Sequence, residues 1–313
     1  MSEKIAVDAG HGFTKALSAD GHQAIFPSLI CSAPPTVDLG EFGQRDVVQI
    51  DGAPYLVGES ARNHATPLWS KEKATDPDTL RLILVAIAQL GASGPIALAT
   101  GLPLAWFGSQ KTDFRQALTG YGASIALPDQ PTQQIWIESA LVLPQGVAAA
   151  GPVLGSPQYR PGPYLVIDVG YRTTDFIIVT KESTGEFTFD LTAAGSLEVG
   201  MHAVTVGLLA ELADHYRISM KAGAIEGRDF IFVRGQSIAL TGLRARYQRQ
   251  AVQTIAQGLA EALDSQLDQL AGIVAVGGGS ELFAANVPGV LTPSASQWAN
   301  GQGYALALGL GMM

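Results

Sequence analysis

The chain has 313 residues, enough for two ordinary domains, and 47% of them are hydrophobic against 15% charged, which excludes wholesale disorder. Its formal charge of −9 sets it against a phosphate backbone, so direct nucleic-acid binding is not expected. The single cysteine, Cys31, excludes an intrachain disulfide. With no charged-then-apolar leader after Met1-Ser2-Glu3-Lys4 and no apolar run of about 18 residues, a cytoplasmic chain with no membrane partner is expected.

Ile5-Ala6-Val7 opens a strand that ends at Asp8-Ala9-Gly10, and Phe13–Leu17 reads as the next strand. Asp20-Gly21 turns the chain into a third strand at Ala24–Phe26. Residues 32–46 are a polar excursion, followed by strands at Val47–Ile50 and Pro54–Val57 around Asp51-Gly52. Asp78 caps a predicted helix whose buried stripe is Leu80, Ile83, Leu84, Ile87 and Leu90. A buried strand at Pro95–Thr100 ends at Gly101-Leu102-Pro103. A helix over 108–119, a strand at Gln134–Leu141 and a small-residue helix at Gly146–Ala150 follow.

Gly151 to Pro163 is a Gly/Pro-rich break and the expected linker. After it the opening pattern recurs, with Tyr164–Ile167 leading into Asp168-Val169-Gly170 and a hairpin of Thr173–Val179 with Phe187–Leu191. Helices are predicted over about 200–216 and about 248–270, the latter carrying Val252, Ile255, Leu259, Leu263 and Leu267. A strand at Ile273–Val276 and a last Ala-rich helix over about 297–311 complete the pattern.

Three motifs carry chemistry. The first is Asp8-Ala9-Gly10-His11-Gly12-Phe13-Thr14-Lys15 and the second Asp168-Val169-Gly170-Tyr171-Arg172-Thr173-Thr174-Asp175. In each a strand-turn-strand can aim backbone N–H groups at an anion, with glycine permitting close approach. A carboxylate at the strand end, Asp8 or Asp168, is placed to hold hydrated Mg²⁺ beside phosphates. Thr14 adds a hydroxyl and Lys15 a point charge. One Asp-x-Gly makes an ordinary turn; a copy in each half is informative. The third motif, Ala275-Val276-Gly277-Gly278-Gly279-Ser280-Glu281-Leu282, lies between a strand and a helix. There bare backbone can receive adenine or ribose, or the glycines simply form a turn. It is not a P-loop, because no Gly-Lys-Ser/Thr follows. His64, His202 and His215 have no metal-ligand spacing, and Ser28 and Ser280 lack a nucleophile elbow.

With these motifs in this order the chain resembles the actin and sugar-kinase ATPase superfamily, and most of all its short archaeal and bacterial actin-like ATPases, relatives of the plasmid-partition actins. Asp8–Lys15 and Asp168–Asp175 are similar to the two phosphate hairpins, and Val276–Glu281 to the adenosine motif. Pro144-Gln145-Gly146-Val147-Ala148-Ala149-Ala150 and Trp298-Ala299-Asn300-Gly301-Gln302-Gly303-Tyr304-Ala305 are similar to the two connecting helices. Arg172 stands where many relatives have glycine, and His11 where a small residue is usual.

The resemblance implies an α/β fold of two related actin-like (ribonuclease H-like) domains, each a mixed sheet flanked by helices, with a nucleotide cleft between them. Domain I would take residues 1–150, with a reduced outer subdomain at about 31–78, and the C-terminal helix at 295–313. Residues 151–162 would link it to domain II at 163–294. ATP or ADP and Mg²⁺ are the implied cofactors. Asp8 and Asp168 hold the metal through water, and Gln145 orients the attacking water, with a plain helix cap as the alternative. The implied nucleotide contacts are Gly10, His11, Gly12, Phe13, Thr14, Lys15, Gly170, Tyr171, Arg172, Thr173, Gly277, Gly278, Gly279 and Ser280; Arg172 is open to a surface salt bridge instead. The implied activity is ATP hydrolysis with assembly into cytoskeletal filaments of the chain itself, serving plasmid segregation or cell organisation through an adaptor protein or DNA-bound adaptor. A small-molecule kinase of the superfamily, or a slow nucleotide-binding scaffold, are the alternatives.

Overall fold

The computed structural model describes residues 2–35, 46–66, 68 and 70–310, so most of the polar excursion at 32–46 lies outside the described residues. The chain divides into two compact units, one of Met1–Gly101, Ser109–Leu143 and Tyr304–Met313, the other of Leu102–Gly108 and Pro144–Gly303.

In chain order the first part forms β1 (Glu3–Ala9), β2 (Phe13–Ser18), β3 (Gln23–Pro27), β4 (Ile30–Ser32), β5 (Val47–Ile50), β6 (Ala53–Val57), α1 (Pro77–Gln89), β7 (Gly94–Leu102), α2 (Leu104–Leu118), β8 (Gly122–Ala126) and β9 (Gln133–Pro144). The nine strands make one sheet of order β3-β2-β1-β7-β9-β8-β5-β6-β4. Helix α1 lies against β1, β2, β3 and β8; Ile83, Leu84 and Ile87 of its expected stripe are fully buried, and so is Leu82 outside it.

The rest forms α3 (Val147–Leu154), β10 (Gly162–Val169), β11 (Thr174–Lys181), β12 (Phe187–Leu197), α4 (His202–Tyr216), β13 (Phe230–Val233), β14 (Gln236–Ala239), α5 (Thr241–Leu263), β15 (Gly272–Val276), α6 (Ser280–Asn286), β16 (Val290–Leu291) and α7 (Ala299–Ala307). Its main sheet has the order β12-β11-β10-β15-β16. Successive β10 residues take opposite faces: Tyr164 and Val166 pack with α3, while Leu165, Ile167 and Val169 pack with α5 and Phe283. A sheet covered on both faces explains why this strand reads as a continuous apolar run.

The order β3-β2-β1-β7-β9 in the first sheet repeats as β12-β11-β10-β15-β16 in the second. In both, the leading strand is antiparallel to the next and parallel to the strand after the crossover. The repeated motif is thus a repeat of topology, and the expected pair of mixed sheets flanked by helices is present.

Several boundaries differ from expectation for local reasons. Asp76, not Asp78, caps α1: its carboxylate accepts from the Asp78 N–H at 3.2 Å and from Thr79 Oγ1 at 2.6 Å, ahead of Pro77. Gly151 and Pro152 fall inside α3 rather than in a linker. The turn after it is tied down by Lys181, whose Nζ donates to the carbonyls of Leu154, Ser156 and Tyr159 at 2.6, 3.1 and 2.9 Å. Gln145 precedes α3 in a turn and does not begin the helix. The hairpin β13–β14 was not expected; it turns at Arg234-Gly235, both with positive φ.

Candidate functional site

The two motif hairpins close in the same register. Asp8 pairs with Lys15 and Ala9 with Thr14; Asp168 pairs with Asp175 and Val169 with Thr174. Each leaves a four-residue turn that begins with glycine. A Cβ on Gly10 would stand 2.9 Å from the Phe13 carbonyl, and one on Gly170 would stand 2.8 Å from the Thr173 carbonyl. Both glycines are therefore demanded by the turn itself.

In the first turn Ser28 gathers the carbonyls. Its Oγ donates to Gly10 O at 2.6 Å and its N–H to Gly12 O at 2.9 Å. That hydroxyl has one proton, so Thr14, 2.9 Å away, donates to it, and the Thr14 side chain faces inward. Across a trans peptide the C=O and the following N–H point opposite ways, so the His11 and Phe13 N–H groups face away from Ser28. The His11 ring meets the Ser70 carbonyl at 3.4 Å. Lys15 Nζ lies 2.9 Å from Asp8 Oδ2, with both side chains buried.

In the second turn the start of α4 does what Ser28 does in the first. The Met201 and His202 N–H groups donate to the Gly170 and Tyr171 carbonyls at 3.1 and 2.7 Å, and the Tyr171 and Arg172 N–H groups face away from α4. The Tyr171 hydroxyl donates to Glu226 Oε1 at 2.6 Å and takes a hydrogen bond from His202 Nδ1 at 3.0 Å. The Arg172 guanidinium lies 5.3 Å from the Trp106 ring centroid. Burial lowers its pKa, against the opposing pull of Glu198. Burial likewise lowers the pKa of His202. In the second turn the side chains of Tyr171 and Arg172 are thus engaged by protein groups.

Asp168 sits where four distant segments meet. Its Oδ2 accepts from Asn300 Nδ2 at 2.6 Å, and Asn300 Oδ1 accepts from the Gly146 N–H at 2.9 Å. Gly277, with φ of 87°, passes so near that a Cβ there would lie 2.2 Å from Asp168 Oδ1. The other two glycines of that turn differ. A Cβ on Gly279 would strike Val169 and Met201 at 2.6 and 2.8 Å, while one on Gly278 would have only Gln297 Nε2 nearby, at 3.8 Å. Gly278 is thus the residue of the three with open space. Ser280, fully buried, bonds Gly277 O and Ser296 Oγ, each at 2.8 Å, and closes the turn from within.

The family models extend over most of the chain. The model for the N-terminal domain of actin-like proteins matches residues 6–147, and that for the C-terminal domain of the archaeal, MreB-like actin homologue matches residues 166–288. The chain belongs to the actin superfamily. It is 25% identical to an archaeal actin homolog of Thermoplasma acidophilum, over 96% of this chain and 97% of that protein. It shares its fold with the subunit of a 15-stranded ParM filament from Clostridium botulinum (TM-score 0.81, 22% identity, 97% of each chain). It also shares it with the archaeal actin homolog Ta0583 in complex with ADP (TM-score 0.78, 23% identity, 98% of this chain and 99% of that one).

In this actin-like chain Asp168, Gly170–Thr173, Gly277–Ser280 and Gln145 lie in one unit, and Asp8 and Gly10–Lys15 in the other. Gln145 is buried, and its N–H donates to Leu102 O at 2.8 Å. Three further residues, not among the expected contacts, bear on these motifs. Lys73, 2% exposed, donates from Nζ to the Ala9 carbonyl at 2.6 Å. Asn300 carries the bridge just described. Asp175, at the position that Lys15 holds in the first hairpin, accepts from the Leu104 N–H. Asn300 had a signal, an amide set among small residues in Trp298–Ala305; Lys73 sits in a polar run without periodicity and had none.

Proposed function

We propose that the chain is a Mg²⁺-dependent ATPase that assembles with copies of itself into nucleotide-dependent filaments in the cytoplasm. The supporting observation is the pair of hairpins in identical register. In both, a neighbour takes up the turn carbonyls, which turns peptide N–H groups to the other side as anion donors. The ADP complex of Ta0583 and the ParM filament are consistent with this reading.

The residues present fit Mg²⁺. Among the described residues no group of three or more His, Cys, Asp and Glu is arranged to hold a metal. Asp8 and Asp168, bonded to Lys15 and Asn300 respectively, are carboxylates near strand ends, the hard oxygen donors that suit an ion keeping several waters and completing its shell with phosphates. They would hold it through water, and bound there it neutralises charge on the phosphate chain. The hairpin amides and Lys15 bind and orient the phosphates, and the backbone at Gly278 leaves room for the nucleoside. Gln145 orients a water for attack on the γ-phosphorus. A new P–O bond forms as the bond to the β-phosphate bridging oxygen breaks, giving ADP and inorganic phosphate; the protein contributes position and electrostatics.

Calorimetry with ATP, with and without Mg²⁺, tests binding, and pelleting with and without ATP tests assembly. Mg²⁺-dependent binding with ATP-promoted polymer is expected. Absence of Mg²⁺-dependent binding overturns the reading, and a strict monomer at high concentration across a range of salt overturns its filament part.

A further inference from the structure

We propose that Asn300 is a positioning residue for this ATPase site, fixing the Asp168 carboxylate and the Gln145–Gly146 turn relative to each other. The inference rests on the reading above and assigns a role to a residue outside the phosphate hairpins and the adenosine motif.

Asn300 lies in the first turn of α7 and is 6% exposed. Both ends of its carboxamide are spent, Nδ2 on Asp168 Oδ2 at 2.6 Å and Oδ1 on the Gly146 N–H at 2.9 Å. The partners dictate the amide orientation, because a peptide N–H only donates and a carboxylate only accepts. Few side chains can do both. Aspartate keeps the acceptor for Gly146 and turns a second carboxylate on Asp168, while alanine or leucine serves neither partner.

Backbone from two other segments lies close to Asp168. Gly146, with φ of 74°, is so placed that a Cβ would come within 3.8 Å of Asp168 Cβ and 3.7 Å of Asp175 Cβ. Gly277 closes on Oδ1. Asn300 completes this enclosure and joins it to the peptide that follows Gln145. The carboxylate assigned to the hydrated metal and the residue assigned to the attacking water are therefore one amide group apart. A change in how Asp168 is bonded reaches the Gln145–Gly146 turn through that amide, and a shift of that turn reaches Asp168. In metal sites, removing such an outer partner costs about 10- to 100-fold in affinity or activity.

The test measures the ADP dissociation constant by calorimetry over a range of Mg²⁺ concentrations and from pH 6 to 8, alongside thermal melting. It uses the wild-type chain, Asn300→Asp, Asn300→Ala and the double variant Asp168→Asn/Asn300→Asp. Asn300→Asp should raise the Mg²⁺ requirement at least about tenfold. It should also make that requirement vary more with pH than in the wild type, because two facing carboxylates share a proton more readily as pH falls. The double variant rebuilds the bridge with donor and acceptor exchanged. It should recover the melting temperature while the Mg²⁺ requirement stays raised. If Asn300→Asp and Asn300→Ala melt lower but keep the wild-type Mg²⁺ and pH profiles, the residue is merely structural and the proposal is overturned. A wild-type chain that binds no Mg²⁺-nucleotide overturns instead the ATPase reading on which the proposal rests.

Discussion

The carboxylate of Asp175 accepts a hydrogen bond from the backbone N–H of Leu104 at 3.2 Å, 71 residues away in the chain. Ser196 donates to the other oxygen of Asp175 and accepts from the Ala105 N–H at 3.0 Å. Together these two side chains cap the first turn of α2. This non-local cap explains why the helix begins at Leu104 when residues 108–119 were expected. A carboxylate there also meets the positive end of the helix dipole. Asp175→Ala should therefore cost about 1–3 kcal/mol by chemical denaturation, since it leaves a helix-end N–H and the Ser196 hydroxyl without their acceptor. Asp175→Asn keeps an acceptor for Leu104 and should cost less. Equal losses for both would show that charge, not capping, is what the position supplies.

The three glycines after β15 should respond differently to alanine. Gly277→Ala forces a Cβ onto Asp168 Oδ1 at a backbone φ of 87°, so it should lower the melting temperature by several degrees. Gly278→Ala enters open space and should leave the melting temperature within about a degree, because surface changes away from such constraints cost little. A bulkier Gly278→Val should lower nucleotide affinity while the fold persists. Unchanged affinity in a folded Gly278→Val chain would count against placing the nucleoside there.

The sequence made the cores and the two hairpins legible, because both are written in local pattern. β10 is a run of apolar residues for a sheet covered on both faces, and Asp-x-Gly marks the strand end and turn in each half. What could not be read is what depends on partners far along the chain. Asp175 caps α2, Lys181 ties the turn after α3, and Lys73 reaches Ala9 across 64 residues. The Tyr171 hydroxyl is bonded to Glu226, a residue with no motif around it. Glycine was informative as a class, yet only geometry separates Gly277, held against Asp168, from Gly278, which has space.

His202 gives stability a pH dependence of definite sign. Burial holds its pKa below the ordinary 6.5, with Glu226 pulling the other way and Arg172 adding to the depression. As pH falls through 6.5 the unfolded chain takes up a proton that the folded chain refuses, so folding is weakened progressively down to the folded-state value. Above 6.5 both states are neutral and the group contributes nothing to the slope. Melting temperature should therefore fall more steeply between pH 7 and 5 in the wild-type chain than in His202→Gln. Parallel curves would mean that His202 protonates alike in both states.

Gln145→Ala should separate binding from hydrolysis. Gln145 is buried in the turn between β9 and α3, where its backbone N–H is held by the Leu102 carbonyl and the next peptide N–H by Asn300. Both bonds use backbone N–H groups of the turn, which truncating the Gln145 side chain does not remove. An amide is a poor base, but it can accept from water and donate to a phosphoryl oxygen, which makes its contribution one of orientation. That is plausibly worth on the order of tenfold to thousandfold in rate. Single-turnover hydrolysis should slow by that range while the dissociation constant for Mg²⁺-ATP stays near wild type, and any polymer should disassemble more slowly. A normal hydrolysis rate with a lowered melting temperature would refute the catalytic role and leave Gln145 as a packing residue of the turn.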